Sequence, residues 1–272
     1  MRVFLLVFGI TIFIFQSFSQ DSTLFVGNSM VKYDKNHTLE ILDKMLNQQS
    51  VKHVIDDMAF NGCTLNKHVT TLPAHKENFF GSQHWSTNKI ELAQTPAYIL
   101  RHHFDKVLFQ EEPMRVVDSV KFLTRTKNDF YRLDSLTKLH ADHIYWLEPY
   151  AAIYYYFDKN SKTNLDSLYA IIQNRSSQLK EIDSNLKIVP IAYITKEFIK
   201  KYPKEGLQIG GNHPNKRMQF MLACCLYYSM YNGKPEEIPF LHWFRNDRNQ
   251  MKEKGLREYT YKLYQEYLVN YK

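Results

Sequence analysis

The chain is short of cysteine, of long apolar runs and of clustered charge, and each shortage removes a class of protein. Three cysteines, Cys63, Cys224 and Cys225, are spread over 272 residues. No spacing among them resembles a structural zinc site, and an odd count in an exported chain leaves at least one thiol unpaired. Cys224 and Cys225 lie in the apolar helical run Met221-Leu222-Ala223-Cys224-Cys225-Leu226, where cysteine behaves as a small hydrophobe. No apolar stretch reaches the roughly 20 residues that a membrane-spanning helix needs. The net charge of +7 arises from mixed-sign segments such as 196–205 and 245–257, which read as solvated helix faces. Nucleic-acid binding wants a clustered basic patch, so no nucleic-acid partner is expected. The nearest approach to a metal site is His140-Ala141-Asp142-His143. Spacing supplies no third ligand for it, and the sequence calls for no metal and no cofactor.

What is present is a chain 44% hydrophobic and 23% charged, without internal repeats, which suits one globular domain with a sizeable core. Aromatic residues make up 15% of it, 19 Tyr and 18 Phe among them, more than a core alone needs, so some should line a groove or coat a surface.

The first residues read as an address. Arg2 precedes an apolar region of about 13 residues, Val3 to Phe15, and Ser17 and Ser19 flank Phe18 in the small-x-small pattern of a cleavage site. Residues 1–19 are expected to be a signal peptide, giving an exported chain, periplasmic or secreted, with no stable membrane insertion after cleavage. The alternative is a retained anchor.

The stretch that organises the rest is Leu24-Phe25-Val26-Gly27-Asn28-Ser29-Met30. A continuous apolar run suits a fully buried parallel strand, and ligand sites in open α/β sheets sit off the carboxyl ends of such strands. Ser29 therefore stands where chemistry is done; the plainer alternative is that it caps the next helix. Apolar runs and helical patterns then alternate. Strands are expected at 51–58, 105–109, 143–147 and 186–194, the last with Pro190 inside it, favouring a sheet edge or a bulge. Helices are expected at 34–49, 89–103, 129–139 and 165–182, with a long loop at 66–88 carrying His68, His75, His84 and Trp85. Five strands separated by helices imply an α/β fold with a parallel sheet covered on both faces. Gly210-Gly211-Asn212-His213-Pro214 then opens a helix to about Tyr231, with Pro214 suited to its first turn. The α/β domain should span 20–234, and 235–272 should be a helical extension packed on it.

A hydroxyl nucleophile needs a base within reach and donors aimed at the oxyanion, and the loops at the strand ends hold candidates for each. Here the chain resembles a known family. Gly27-Asn28-Ser29 is similar to the Gly-Asp-Ser block of the SGNH (GDSL-type) hydrolases, Asn61-Gly62-Cys63-Thr64-Leu65 to their glycine block, and Val107-Leu108-Phe109-Gln110-Glu111 to their third block. His213-Pro214-Asn215 with 224–230 resembles the final block, and the four occur in order between Thr23 and Gly233.

The resemblance implies a flavodoxin-like three-layer α/β/α sandwich and esterase or acetylhydrolase activity. It makes Ser29 the nucleophile, His213 the general base, and the Ser29 and Gly62 N–H groups with the Gln110 side-chain amide the oxyanion donors. Gln110 stands where the family has asparagine; it is one methylene longer and carries the same NH₂ donor. Asn28, Asn61, Glu111, Trp146 and Glu148 are candidates for substrate contact, Trp146 with a core role as its alternative. The family's final block is Asp-x-x-His, but three residues before His213 stands Gly210. Loss of the orienting acid costs up to about four orders of magnitude when the wrong tautomer results. A backbone carbonyl accepting from Nδ1 can substitute for it, and Glu205 and Gln208, upstream in the same loop, are the side-chain candidates. The expected function is deacylation, most simply deacetylation, of a carbohydrate or small-molecule ester; the competing one is a catalytically impaired glycan-binding protein.

Overall fold

A computed structural model of the chain describes residues 21–29, 31, 37–48, 52–60, 62–70, 81–84, 89–92, 95–150, 164–203, 205–209, 213–244 and 247–271. The expected signal peptide lies outside the described residues.

The sheet is built on β1 (Asp21–Asn28), which pairs in parallel with β2 (His53–Phe60) on one side. On its other side is β5 (Phe104–Phe109), followed outward by β6 (Ala141–Leu147) and β7 (Lys187–Val189), all parallel. Taken alone, these five strands run in the order second, first, third, fourth, fifth, the flavodoxin-like arrangement whose switch point lies between β1 and the third parallel strand. The five expected parallel strands are therefore there, but the sheet has seven. An antiparallel hairpin, β3 (Gly81–His84) and β4 (Lys89–Leu92), extends it beyond β2.

This hairpin corrects two expectations. The segment 66–88 is not one loop: it holds α2 (Leu65–Val69) and β3. The helix expected over 89–103 is β4 followed by α3 (Thr95–Arg101). The last parallel strand is also shorter than expected. It stops at Val189, and Pro190 takes the N-cap position of α8 (Ile191–Lys201), as its missing N–H suits a helix start better than a ladder. β7 does lie at the sheet edge.

Strand alternation creates the layers. Leu24, Val26, Val107, Phe109, Ile144 and Trp146 enter one buried cluster, while Phe25, Leu108, Tyr145 and Leu147 enter the other. On the first face Phe109 and Trp146 pack edge-on against Phe130 of α6 (Lys127–Thr137). A short helix α4 (Pro113–Val117), the turn α5 (Ser119–Lys121) and a π-helical turn (Phe122–Thr126) precede α6. The second face is covered by α1 (Thr38–Asn47), α7 (Leu165–Lys180), α8 and α9 (Lys216–Tyr231). α9 is buried on nearly every side, Cys224 and Cys225 included, as expected of a helix apolar all round.

The segment after residue 234 continues the same body. A 3₁₀ turn (Pro235–Glu237) leads to α10 (Asp247–Asn270), which packs against α8 and α9. Leu263 is fully buried there, and Tyr228 stacks edge-on against Tyr261 at 5.0 Å between ring centres. The buried Glu253 carboxylate accepts from the Leu241 and Trp243 N–H groups, which ties the preceding loop to α10.

Candidate active site at the carboxyl ends of the strands

The chain leaves β1 at Asn28, and Ser29 follows in a tight turn closed by the Val31 N–H on Asn28 O. α1 starts only at Thr38, with His37 in the cap position, so Ser29 does not cap that helix. Ser29 is 6% exposed and sits beside the switch point.

Two side chains hold this turn from below. Gln110, the first residue after β5, donates its backbone N–H to Val26 O, and its side-chain Oε1 accepts the Asn28 N–H at 3.3 Å. The fit requires Gly27: a Cβ there would stand 2.7 Å from Gln110 Oε1. With Oε1 committed to the backbone, the other end of the planar amide is an NH₂ donor. On the opposite side lies His68, fully buried on α2. Its Nε2 lies 2.9 Å from Gly27 O and its Nδ1 2.8 Å from Thr95 Oγ1. A carbonyl can only accept, so Nε2 carries the proton and Nδ1 accepts from the threonine. Burial pushes the ring's pKa down to about 4, so it works as a neutral brace. The sequence showed this histidine only as one of several in a presumed loop; α2 has five residues, too few to register as a helical period.

Gly62 follows β2 with φ +63°, a left-handed conformation that glycine adopts without strain, and its N–H stands at the end of the strand next to β1. Asn61 lies outside the described residues, while Asn28 is buried beside Ser29.

His213 lies on a two-residue hairpin, β8 (Gln208–Ile209) with β9 (His213–Pro214), in which Ile209 pairs with His213. Asn215 is the N-cap of α9, accepting from Met218 N–H, so Pro214 stands before the helix and not in its first turn. Gln219 ties the hairpin to the segment after Ser29: its Nε2 donates to Pro214 O and its Oε1 accepts from His37 N–H. Burial lowers the His213 pKa from its ordinary 6.5, which keeps the ring neutral at neutral pH. Gly210 lies outside the described residues. Glu205 is ion-paired with Arg217 and Gln208 has a ladder place opposite Pro214, so the Glu205 carboxylate serves the guanidinium.

Three expected substrate contacts are corrected. Glu111 is 1% exposed and turned inward: its carboxylate accepts from Leu65 N–H at the start of α2 and from Glu112 N–H, so it braces the Gly62 loop. Trp146 is fully buried against Phe130 and is a core residue. Glu148 is 1% exposed and accepts from Ser176 Oγ at 3.0 Å. A strand end can turn a side chain into the helix layer as readily as toward solvent, and all three turn in. Among the described residues no group of histidine, cysteine and carboxylate side chains is placed to hold a metal.

Burial raises both buried carboxyls from 4.5 to about 7. The folded chain therefore keeps protons that the unfolded chain releases near 4.5, and stability falls as pH rises through the window from 4.5 to 7. Each group accounts for about 3 kcal/mol of that fall. Glu148→Gln should flatten the dependence: its melting temperature should change less than wild type between pH 5 and 8 and exceed it at pH 8. Parallel curves would show that Glu148 titrates normally.

No family model matches the chain, and no curated protein does. Solved structures match on fold. A DUF4886 family protein from Bacteroides uniformis superposes with a TM-score of 0.67 at 13% identity, covering 92% of this chain and 95% of its own. A candidate SGNH hydrolase from Slackia heliotrinireducens gives 0.52 at 15%, over 78% of this chain and 99% of its own. Axe2, an acetylxylan esterase from Geobacillus stearothermophilus, gives 0.52 at 14%, over 77% and 93%. At these identities the shared property is architecture: this chain has the three-layer α/β/α fold on which those proteins are also built.

Proposed function

We propose that the protein is an exported serine esterase that removes a small acyl group, acetyl in the simplest case, from a carbohydrate. Ser29 Oγ attacks the ester carbonyl carbon, His213 takes the hydroxyl proton and returns it to the departing sugar hydroxyl, and water then cleaves the acyl-serine by the same route. The Ser29 and Gly62 N–H groups and the Gln110 NH₂ would share the oxyanion, with Asn28 and Asn61 alongside as substrate contacts. The observation that carries this reading is the clamp of Gln110 on Gly27 and Asn28, which aims an amide from the neighbouring strand at the turn holding Ser29. The acetylxylan esterase among the fold neighbours supports the ester class. The 13-residue apolar start with Ser17 and Ser19 supports export.

One observation favours the second reading, a glycan-binding protein on the same fold: Glu205, a candidate substitute for the absent aspartate, is engaged by Arg217. A fluorophosphonate probe separates the two, since it labels only a serine activated by a base. The expected result is a single adduct mapped to Ser29 by peptide mass, with acetate released from acetylated xylo-oligosaccharides. An unlabelled protein that binds the oligosaccharide without releasing acetate would establish the glycan-binding reading.

A further inference from the structure

We propose that the cleft between α8 and α10 is a second carbohydrate subsite, taking an acidic pyranose ring of the glycan whose ester is cleaved at Ser29; the choice of a glycan rests on the esterase reading above. The cleft measures about 280 Å³, and one wall is aromatic. Phe198 and Tyr202 lie 5.0 Å apart and Tyr202 and Tyr259 5.8 Å apart between ring centres, and Tyr202 is 37% exposed. Aromatic rings with one polar end suit the apolar C–H face of a sugar, with its hydroxyls left to polar neighbours.

Those neighbours are charged. Arg217 also lines the cleft, with one terminal nitrogen of its guanidinium on the Glu205 carboxylate and the other donating to Gly206 O. Lys252 lines the cleft, and the Lys201 ammonium lies 4.3 Å from the centre of the Tyr259 ring. Among the residues that line the cleft, Glu205 is set against Arg217 and the Lys252 ammonium remains, which favours a carboxylate-bearing sugar over a neutral one.

Gly255 carries the argument further. It stands inside α10, where glycine is a poor helix former, yet a Cβ built on it meets no atom of the described residues within 4 Å. Neither a left-handed backbone nor crowding demands glycine there; what it preserves is the opening of the cleft. The cleft is linked to the candidate active site through the start of α9. Arg217 is on the first turn of α9, four residues beyond His213, and it and Asn215 both donate to Gly206 O.

The test uses the full mature chain carrying Ser29→Ala, so that binding is read without turnover, and calorimetric titration with xylohexaose and with a uronate-bearing xylo-oligosaccharide. The uronate ligand should bind about tenfold more tightly than xylohexaose, and Gly255→Phe and Tyr202→Ala should each weaken it about tenfold. On the Ser29 background both substitutions should leave p-nitrophenyl acetate hydrolysis unchanged. Gly255→Phe adds a side chain to open space and should keep the melting temperature; if it lowers it, Tyr202→Ala decides alone. Affinity unchanged in both variants, or no saturable binding at all, overturns the subsite. Equal affinity for the two sugars overturns its acidic preference. Uronate binding that maps to the cleft in a protein inert to activated esters upholds the subsite and removes the esterase reading.

Discussion

Ser29→Ala should lower turnover of p-nitrophenyl acetate by at least about four orders of magnitude while leaving the fold intact. The size follows from the role: a variant without its nucleophile keeps only what binding and the oxyanion donors supply, and the acyl-serine route is closed. The fold should tolerate the change because one oxygen is lost from a turn whose backbone closes by itself through Val31 N–H and Asn28 O. The residue 29 N–H is retained, so the substitution removes the nucleophile and spares the donor. The assay pairs initial rates with a melting curve. A variant as stable as wild type and as fast, both above buffer, would exclude Ser29 as the nucleophile.

How much of this was legible in the sequence depends on how each element is held. β1, β5 and β6 are buried on both faces, and burial on both faces writes a continuous apolar run such as Leu24-Phe25-Val26 or Val107-Leu108-Phe109. The β3–β4 hairpin writes nothing comparable. Gly81-Ser82-Gln83-His84 and Lys89-Ile90-Glu91-Leu92 are four residues each, and they are strands because β2 offers an edge to pair with. Pro190 was ambiguous for a related reason: the same residue suits an edge strand and a helix start, and only the length of β7 decides.

The candidate site divides along the same line. Ser29, Gly62 and Gln110 are set by the backbone path at the strand ends, which motif order does encode. Glu111 and Glu148 stand at equally suggestive positions, but their role depends on side-chain direction, and both point into the helix layers. His68 illustrates the converse. Nothing in its local sequence distinguishes it, and its contact with Gly27 O joins residues 41 apart in the chain.

Gln110 gives the second large expected effect. Its amide has two ends with separate tasks: Oε1 accepts from Asn28 N–H, and the NH₂ is assigned to the oxyanion. Gln110→Glu keeps the shape and the acceptor but replaces the donor with an oxygen that is negative when ionised. At pH 8 it should lower kcat by about two orders of magnitude or more with KM nearly unchanged, because the lost interaction forms in the transition state, and it should lower the melting temperature because ionising a buried carboxyl is costly. Gln110→Ala loses both ends; it should match that fall in kcat and also melt earlier, since Asn28 N–H loses its acceptor in a buried turn. Gly27→Ala should move activity in the same direction while keeping the glutamine itself, by driving a methyl group to 2.7 Å from Oε1 and displacing the amide. If Gln110→Glu changes KM alone, the amide contacts bound substrate. If it changes neither constant, Gln110 is a clamp for the Ser29 turn and the third oxyanion donor must be sought elsewhere.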